Sequence, residues 1–272
     1  MTEQQRRAWL QLASNAARQA GRTLLHYRRR FSVNSKGLND FVTDADLAAQ
    51  QVIYEMITSA CPDHGFLGEE SAERHHRAAR CADAPTWIVD PLDGTTNYIH
   101  GLPFFAVSIG LELHGELLIG VVYDPVREEL FYASRGAGAW LAGKPLKVSS
   151  CTNMSGALIA ASFPSDMRGK EVQVDVWKHL AVQTAGLRRT GSSALNLAYV
   201  AAGRLDAFYS FEICPWDVAG GLMLLMEAKG QSSTLHGKPF QIHKDQPLLA
   251  SNGALHKAFA ESIHIALHNA QK

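Results

Sequence analysis

The sequence predicts an α/β protein whose first half is of the α+β kind. Helix-period patterns open the chain at 4–28 and 43–60. Long apolar segments with hairpin punctuation then fill 104–147. From about Ser149, short apolar strands alternate with helical patterns, the order expected of an α/β unit. With 272 residues, 46% of them apolar, the chain can bury a substantial core. It reads as one unit over 1–272, with lobes 1–148 and 149–272.

In the first helix, Trp9, Leu12, Ala16, Ala20 and Leu24 recur at three- and four-residue spacing. Arg28, Arg29 and Arg30 follow, where positive charge suits the helix dipole, and read as a solvated helix end. A polar loop carries Lys36 and Asn39. The second helix starts near Thr43 and runs to about Ala60, with Leu47, Val52, Met56 and Ile57 inward. Thr43 and Asp46 have the spacing of a capping box. Asp46 also suits a catalytic orienting group, and the sequence leaves both roles open. Phe66 and Leu67 lead into an acidic turn, Gly68-Glu69-Glu70-Ser71. The polar stretch 71–85 holds His75 and His76, which read as exposed loop because adjacent residues of a regular element cannot both face one metal.

Residues 87–97 concentrate the chemistry. Trp87, Ile88 and Val89 read as a buried strand; Asp90, Pro91, Leu92 and Asp93 follow, then Gly94, Thr95, Thr96 and Asn97. The two carboxylates are hard oxygen donors for a divalent cation. Gly-Thr-Thr can open a helix whose free N–H groups accept an anion. An Asp-rich surface turn with a cap would use the same residues, so this turn alone does not choose. Two neighbouring motifs fail. The Asp pair of a haloacid-dehalogenase nucleophile is separated by one residue, not two, and Gly143-Lys144 is followed by Pro145 where a Walker A loop needs Ser or Thr.

Apolar segments 104–113 and 116–123 meet at a His114-Gly115 hairpin signal. With 129–133 and 138–147, and Gly136, Gly138 and Gly143 around them, they predict an antiparallel meander packed on the first two helices. The second half predicts strands at 157–162, 205–210, 230–234 and 247–250 and helices at 171–184, 193–202, 217–228 and 253–268. Its turns are Gly191-Ser192-Ser193, a candidate phosphate or substrate rim, and Cys214-Pro215-Trp216-Asp217, where Asp217 also suits a helix cap.

Lys+Arg and Asp+Glu are both 26, so no basic excess holds nucleic acid directly. Cys61, Cys81, Cys151 and Cys214 form no CxxC pair and suggest reduced cytosolic thiols. No apolar run reaches the roughly 18 residues of a membrane span, and no h-region marks a signal peptide. The expectation is a cytoplasmic protein.

Four acidic turns, each near an apolar segment, exceed what caps require. Gly68-Glu69-Glu70-Ser71, then Trp87 to Asn97 extended through His100 and Phe104 to Gly110, then Trp216-Asp217-Val218-Ala219-Gly220 occur in order. Over about 10–250 the chain resembles the inositol monophosphatase family of metal-dependent, lithium-sensitive phosphatases. The resemblance implies a layered αβαβα sandwich with metals where the lobes meet, commonly as a homodimer. It implies Glu69, Asp90, Asp93, Asp217 and the Leu92 carbonyl as ligands for two or three Mg²⁺, with the Thr95 hydroxyl in that shell. Asp46 and Thr95, with Glu69 also catalytic, would activate water, and Gly94 and Thr95 N–H groups, beside Asp93, would cradle phosphate. Gly191, Ser192 and Ser193 would line the sugar-alcohol side, with Lys36 near the site. All-oxygen ligation suits Mg²⁺ rather than zinc or copper. The implied reaction is direct in-line attack of water on a phosphate monoester, with inositol-1-phosphate or a similar small polyol phosphate as substrate.

One position departs from the pattern. Seven residues before Asp217, where many members carry a Glu that grips inositol hydroxyls, stands Ser210. Glu212 takes that place only if the loop is two residues shorter. With Ser210 at the rim, a weak preference for inositol-1-phosphate over simple monoesters is expected. Histidinol phosphate, a nucleotide phosphate and fructose bisphosphate are alternative substrates. A regulatory role binding transcription machinery through a protein partner is an alternative of a different class.

Overall fold

In the computed structural model, which describes residues 2–28, 30–38, 40–71 and 84–270, Thr2 caps the first helix, α1 (Glu3–Tyr27). The Thr2 hydroxyl accepts from Gln5 N at 3.2 Å, and Thr2 N donates to the Gln5 side chain at 2.8 Å. The inward face of α1 is small: Ala13, Ala16, Ala17 and Ala20, with Leu24. That lets α2 (Asp44–Ala60) lie close beside it with Ala45, Ala49, Ile53 and Ile57 buried. Leu47, expected inward, is exposed instead, because these four residues already fill the face toward α1 and the sheet.

Between the two helices the expected polar loop is a hairpin, β1 (Val33–Gly37) and β2 (Asp40–Thr43). The seven-stranded sheet follows: β3 (Gly65–Gly68), β4 (Thr86–Asp93), β5 (Ala106–Leu113), β6 (Glu116–Asp124), β7 (Glu129–Ser134), β8 (Ala139–Leu141) and β9 (Lys144–Pro145), in that spatial order. Only β3 and β4 pair in parallel; the others form the predicted meander. The expected strand 138–147 divides because Ala142 and Gly143 take left-handed backbone (φ 49° and 76°) and turn the chain between β8 and β9. A one-turn helix, α3 (Thr95–Ile99), follows β4.

The second half builds β10 (Leu158–Ser162), α4 (Glu171–Ala181), β11 (Gly186–Arg188), α5 (Ser193–Ala201), β12 (Ala207–Ser210), α6 (Pro215–Glu227), β13 (Gln231–Ser233), β14 (Leu248–Ser251) and α7 (His256–Ala270). Its five-stranded sheet runs β11-β10-β12-β14-β13. The edge strand β11 and the strand β3 carry too few apolar residues to show a period.

Strand periodicity sets the layers. In β4, Trp87 and Val89 face the core shared with α1 and α2, and Ile88 faces the opposite core. In β12, Phe208 joins that opposite core, while Ala207 and Tyr209 face α4 and α7. The order is α1/α2, large sheet, α5/α6, small sheet, α4/α7, the αβαβα sandwich. The meander therefore packs on the first two helices by one face only; α5 and α6 cover the other. α6 reaches the large sheet through missing side chains. A Cβ on Gly120 would collide with the Gly220 carbonyl oxygen, and one on Gly110 would lie 2.5 Å from Ala219 Cβ. The Ala219-Gly220 end of the Trp-Asp-Val-Ala-Gly motif is thus a packing requirement.

Arg28 is not a free helix end: its guanidinium lies 5.8 Å from the Phe105 ring centre and donates to the Gly101 carbonyl at 3.2 Å. Arg29, Asn39, Cys81, His75 and His76 lie outside the described residues. Cys61, Cys151 and Cys214 are in no disulfide. No helix of the described residues is long and apolar enough to cross a membrane.

Candidate active site

Asp90 and Asp93 sit three apart on β4, a spacing that sends side chains to opposite faces of a regular strand. The ladder to β5 corrects this. Asp90 pairs with Ser108 but Asp93 pairs with Ala106, so the Pro91–Leu92 step carries one extra residue. That bulge returns both carboxylates to one side. Proline, which cannot donate to a ladder, stands where the ladder is broken. Asp90 is buried, and its Oδ1 accepts from Leu92 N at 3.0 Å.

Glu69 follows β3 in a single 3₁₀ turn, and β3 lies beside β4. Asp217 is in the first turn of α6, where it accepts from Cys214 N at 2.8 Å. It is therefore the expected cap, and it faces the other carboxylates as well. Burial first, then the charges of Glu69, Asp93 and Asp217, holds the Asp90 carboxyl well above the ordinary range. Burial, then Asp93 and Glu69, does the same to Asp217. In both, burial and the neighbouring carboxylates are the leading causes.

Asp93 also meets the second half of the chain. It accepts from Ser192 Oγ at 2.5 Å, Ala194 N at 2.7 Å and Ser193 N at 3.2 Å, and so caps α5 from another layer. Burial pushes its carboxyl up to about 6 against the pull of those donors.

Asp46 divides its two oxygens. Oδ2 accepts from the Thr43 N–H at 2.9 Å and the Thr43 hydroxyl at 2.5 Å, which is the cap. Oδ1 faces the Thr95 hydroxyl at 3.2 Å, and that hydroxyl also lies 3.1 Å from the Leu92 carbonyl. The two roles left open by the sequence are compatible in one carboxylate. Burial pushes Asp46 up to about 6, opposed by the Thr43 bonds. Gly94 enters α3 with φ 102°, and a Cβ there would press on the Phe104 and Gly191 carbonyl oxygens at 3.1 and 3.2 Å.

A cleft of about 820 Å³ opens over these groups, lined by Glu69, Gly94, Thr95 and Asp217 on one side and Gly191, Ser193 and Glu212 on the other. Two expected rim residues are not on it. Ser192 is buried, with its hydroxyl spent on Asp93. Ser210 is the last residue of β12 and fully buried, its hydroxyl donating to the Glu212 carbonyl at 2.6 Å. The side chain facing the cleft is Glu212, two residues on, because the chain leaves the sheet at Ser210. The Lys36 side chain lies outside the described part of β1. Glu70, His100, Phe163, Arg189 and Trp216 also line the cleft and were not singled out as site residues. Glu70 and Trp216 sat beside expected ligands; Arg189 had no local signal.

The donor set is oxygen only. As placed, no three His, Cys, Asp or Glu side chains of the described residues form a ready cage for one ion. A hard cation that keeps several waters and takes one or two carboxylates apiece fits this set. Clustered carboxylates whose charges raise one another are what such a cation would neutralise.

The sequence model of the inositol monophosphatase family matches residues 5–268. The chain belongs to the inositol monophosphatase family. Membership makes it a phosphoric monoester hydrolase of a metal-dependent family. It is 42% identical over 260 residues to the Nus factor SuhB of Pseudomonas aeruginosa, covering 93% of this chain and 95% of the relative. It is 39% identical over 264 residues to the inositol-1-monophosphatase of Caulobacter vibrioides, covering 92% and 99%. The crystal structure of the extragenic suppressor protein suhB from Bartonella henselae superposes with a TM-score of 0.88 at 35% identity, covering 94% of this chain and 98% of that one. The family fold is the αβαβα order described above.

Proposed function

We propose that this chain hydrolyses the phosphate monoester of a small polyol, inositol-1-phosphate being the reference substrate, with Mg²⁺ held by Glu69, Asp90, Asp93, Asp217 and the Leu92 carbonyl. The observation that carries the reading is the meeting of the Glu69, Asp90, Asp93 and Asp217 carboxylates, from the turn after β3, from β4 and from α6, close enough that their charges raise the Asp90 and Asp217 carboxyls. When bound, the ions supply positive charge at the transferring phosphoryl group and make water nucleophilic near neutral pH.

The protein's own groups do the rest. The Thr95 hydroxyl can pass its hydrogen bond to Asp46 Oδ1, so a proton released near Thr95 has a carboxylate acceptor already in place. Asp46 is kept still by its second oxygen in the cap. Gly94 lets the start of α3 approach the phosphate without a side chain between them. No Ser, Cys or His nucleophile is called on, and the phosphoryl group goes directly to water. Gly191, Ser193 and Glu212 face the alcohol part of the ester. Because ligands come from both halves, 1–148 and 149–272 act as one unit, expected as a homodimer in light scattering.

Phosphate release from inositol-1-phosphate should vanish in EDTA and return with Mg²⁺. Full turnover in metal-free buffer would remove the reading. The relatives named Nus factor favour a second role, protein binding beside catalysis. It predicts a partner that is retained when Asp90→Asn abolishes turnover, and loss of that partner in the same variant would count against it.

A further inference from the structure

Glu212, which faces the cleft, is itself held from behind. Lys170 Nζ lies 2.6 Å from one Glu212 carboxylate oxygen and 2.7 Å from the other, and Gln173 Nε2 stands 3.5 Å from the first. The partners come from separate segments. Lys170 immediately precedes α4, held by its N–H to the Met167 carbonyl at 3.2 Å and by its carbonyl to Gln173 N at 3.0 Å. Gly169 supplies the left-handed turn (φ 71°) that points the chain there. The cleft wall just before this segment is Phe163, Pro164 and Ser165; the wall after Glu212 is Ile213 and Cys214. Glu212 is on the cleft lining and Lys170 is not, so the ion pair holds the Glu212 carboxylate from outside the lining, on the side read as the alcohol end.

We propose that Lys170 is a positioning residue that sets the enzyme's selectivity for polyol esters by fixing the Glu212 carboxylate. A carboxylate offers about four lone-pair positions. Lys170 takes one on each oxygen and Gln173 a second on one of them, which leaves one directed position for a polyol hydroxyl. Released from Lys170, the Glu212 side chain, 48% exposed, would be free to swing into solvent. Each substrate then pays the entropy of ordering it. Esters with no hydroxyls to offer gain nothing from the ion pair. This rests on the phosphatase reading above, with Glu212 at the alcohol end.

The test compares kcat/KM for inositol-1-phosphate with that for p-nitrophenyl phosphate, both with saturating Mg²⁺. Lys170→Met should lower the ratio by about fivefold, the scale of one partly exposed ion pair. The change should sit in KM for the polyol ester, and Lys170→Arg should restore most of it. Raising NaCl from 0.05 to 1 M should lower the wild-type ratio and leave that of Lys170→Met flat, because salt screens an exposed pair. Comparing two phosphate esters cancels the effect of salt on the phosphate itself. A ratio unchanged or raised in Lys170→Met, at an unchanged melting temperature, would overturn the proposal. If Lys170→Met melts lower, the wild-type salt series decides, and a flat ratio there overturns it. Wild-type protein inactive on both esters would instead sink the phosphatase reading.

Discussion

The two sides of the cleft are held by different means. On the side proposed to hold metal, most groups are fixed by bonds spanning two or three residues: Asp90 to Leu92, Asp217 to Cys214, Asp46 to Thr43. On the alcohol side the holding bonds span long stretches of chain: Ser192 to Asp93, Lys170 to Glu212, and the Asn97 amide to the Thr190 carbonyl at 2.8 Å. The first side is rigid by local geometry; the second depends on how layers meet. Selectivity can drift on the second side without touching the chemistry of the first.

The sharpest contrast between the two kinds of support lies within β4, in Asp90 and Asp93. Asp90→Asn and Asp93→Asn should each lower kcat by about a hundredfold or more, since each removes charge that a divalent ion needs. Their effects on stability should have opposite signs. Asp90 has only one backbone donor and three charged neighbours, so the metal-free protein should melt higher without its charge. Asp93 accepts three bonds at the start of α5, and an Asn amide cannot accept all of them. Its variant should lose about 1 kcal/mol, the scale of a lost cap. Thermal melts in EDTA measure both; equal shifts would show that Asp93 is only a ligand.

A smaller effect is expected across the cleft. Glu212→Gln should lower the kcat/KM preference for inositol-1-phosphate over glycerol-2-phosphate by roughly tenfold, one charge-assisted bond. Ser210→Ala should leave that preference within about twofold, because its hydroxyl is buried and bonded to a carbonyl. The reverse pattern would return Ser210 to the rim.

The smallest expected effect is in pH. Asp46 and Asp93 titrate near 6 when folded, against about 3.8 as the ordinary value. Between these pH values the folded chain holds protons that the unfolded chain has released. Stability of the metal-free protein therefore falls as pH rises through this window. His64 and His256, whose imidazoles burial pushes down, act in the opposite sense below about 6.5. The melting temperature in EDTA should be higher at pH 5 than at pH 7.5, with a smaller difference in Asp90→Asn. A midpoint that rises with pH would show that the histidines dominate.

How much was legible in the sequence follows the same division. Helix α1 was readable from its small-residue stripe, and β4 and β12 as apolar runs. These strands are buried on both faces and show no period, so the layering came from the family resemblance. The hairpin of β1 and β2 and the edge strand β11 were not readable, since short polar strands carry no period. Among the site residues, acidic turns beside apolar runs pointed to Glu69, Asp90, Asp93 and Asp217. The bulge that aligns Asp90 with Asp93 could not be read, because register belongs to the pairing with β5. Ser210 was misplaced for the same reason: counting residues assumes a strand that continues, and β12 ends there. Arg189 at the cleft and Lys170 beside Glu212 could not be found locally, since their positions follow from tertiary packing.

The middle helix layer bears on how the protein assembles. With only the large sheet and its outer helices formed, the chain would hold Glu69, Asp90, Asp93 and Asp46. Asp217 arrives only when α6 settles onto Gly110 and Gly120, and α5 finds its Asp93 cap in the same event. Such long-range docking is a late and slow kind of folding step. It also presses a further negative charge against those already buried. The final approach of the two sheets is therefore a titration against charge repulsion, and a divalent ion would act as a folding ligand, binding the docked chain and not its precursor. Turnover, by the same logic, counts only molecules in which all five layers have closed.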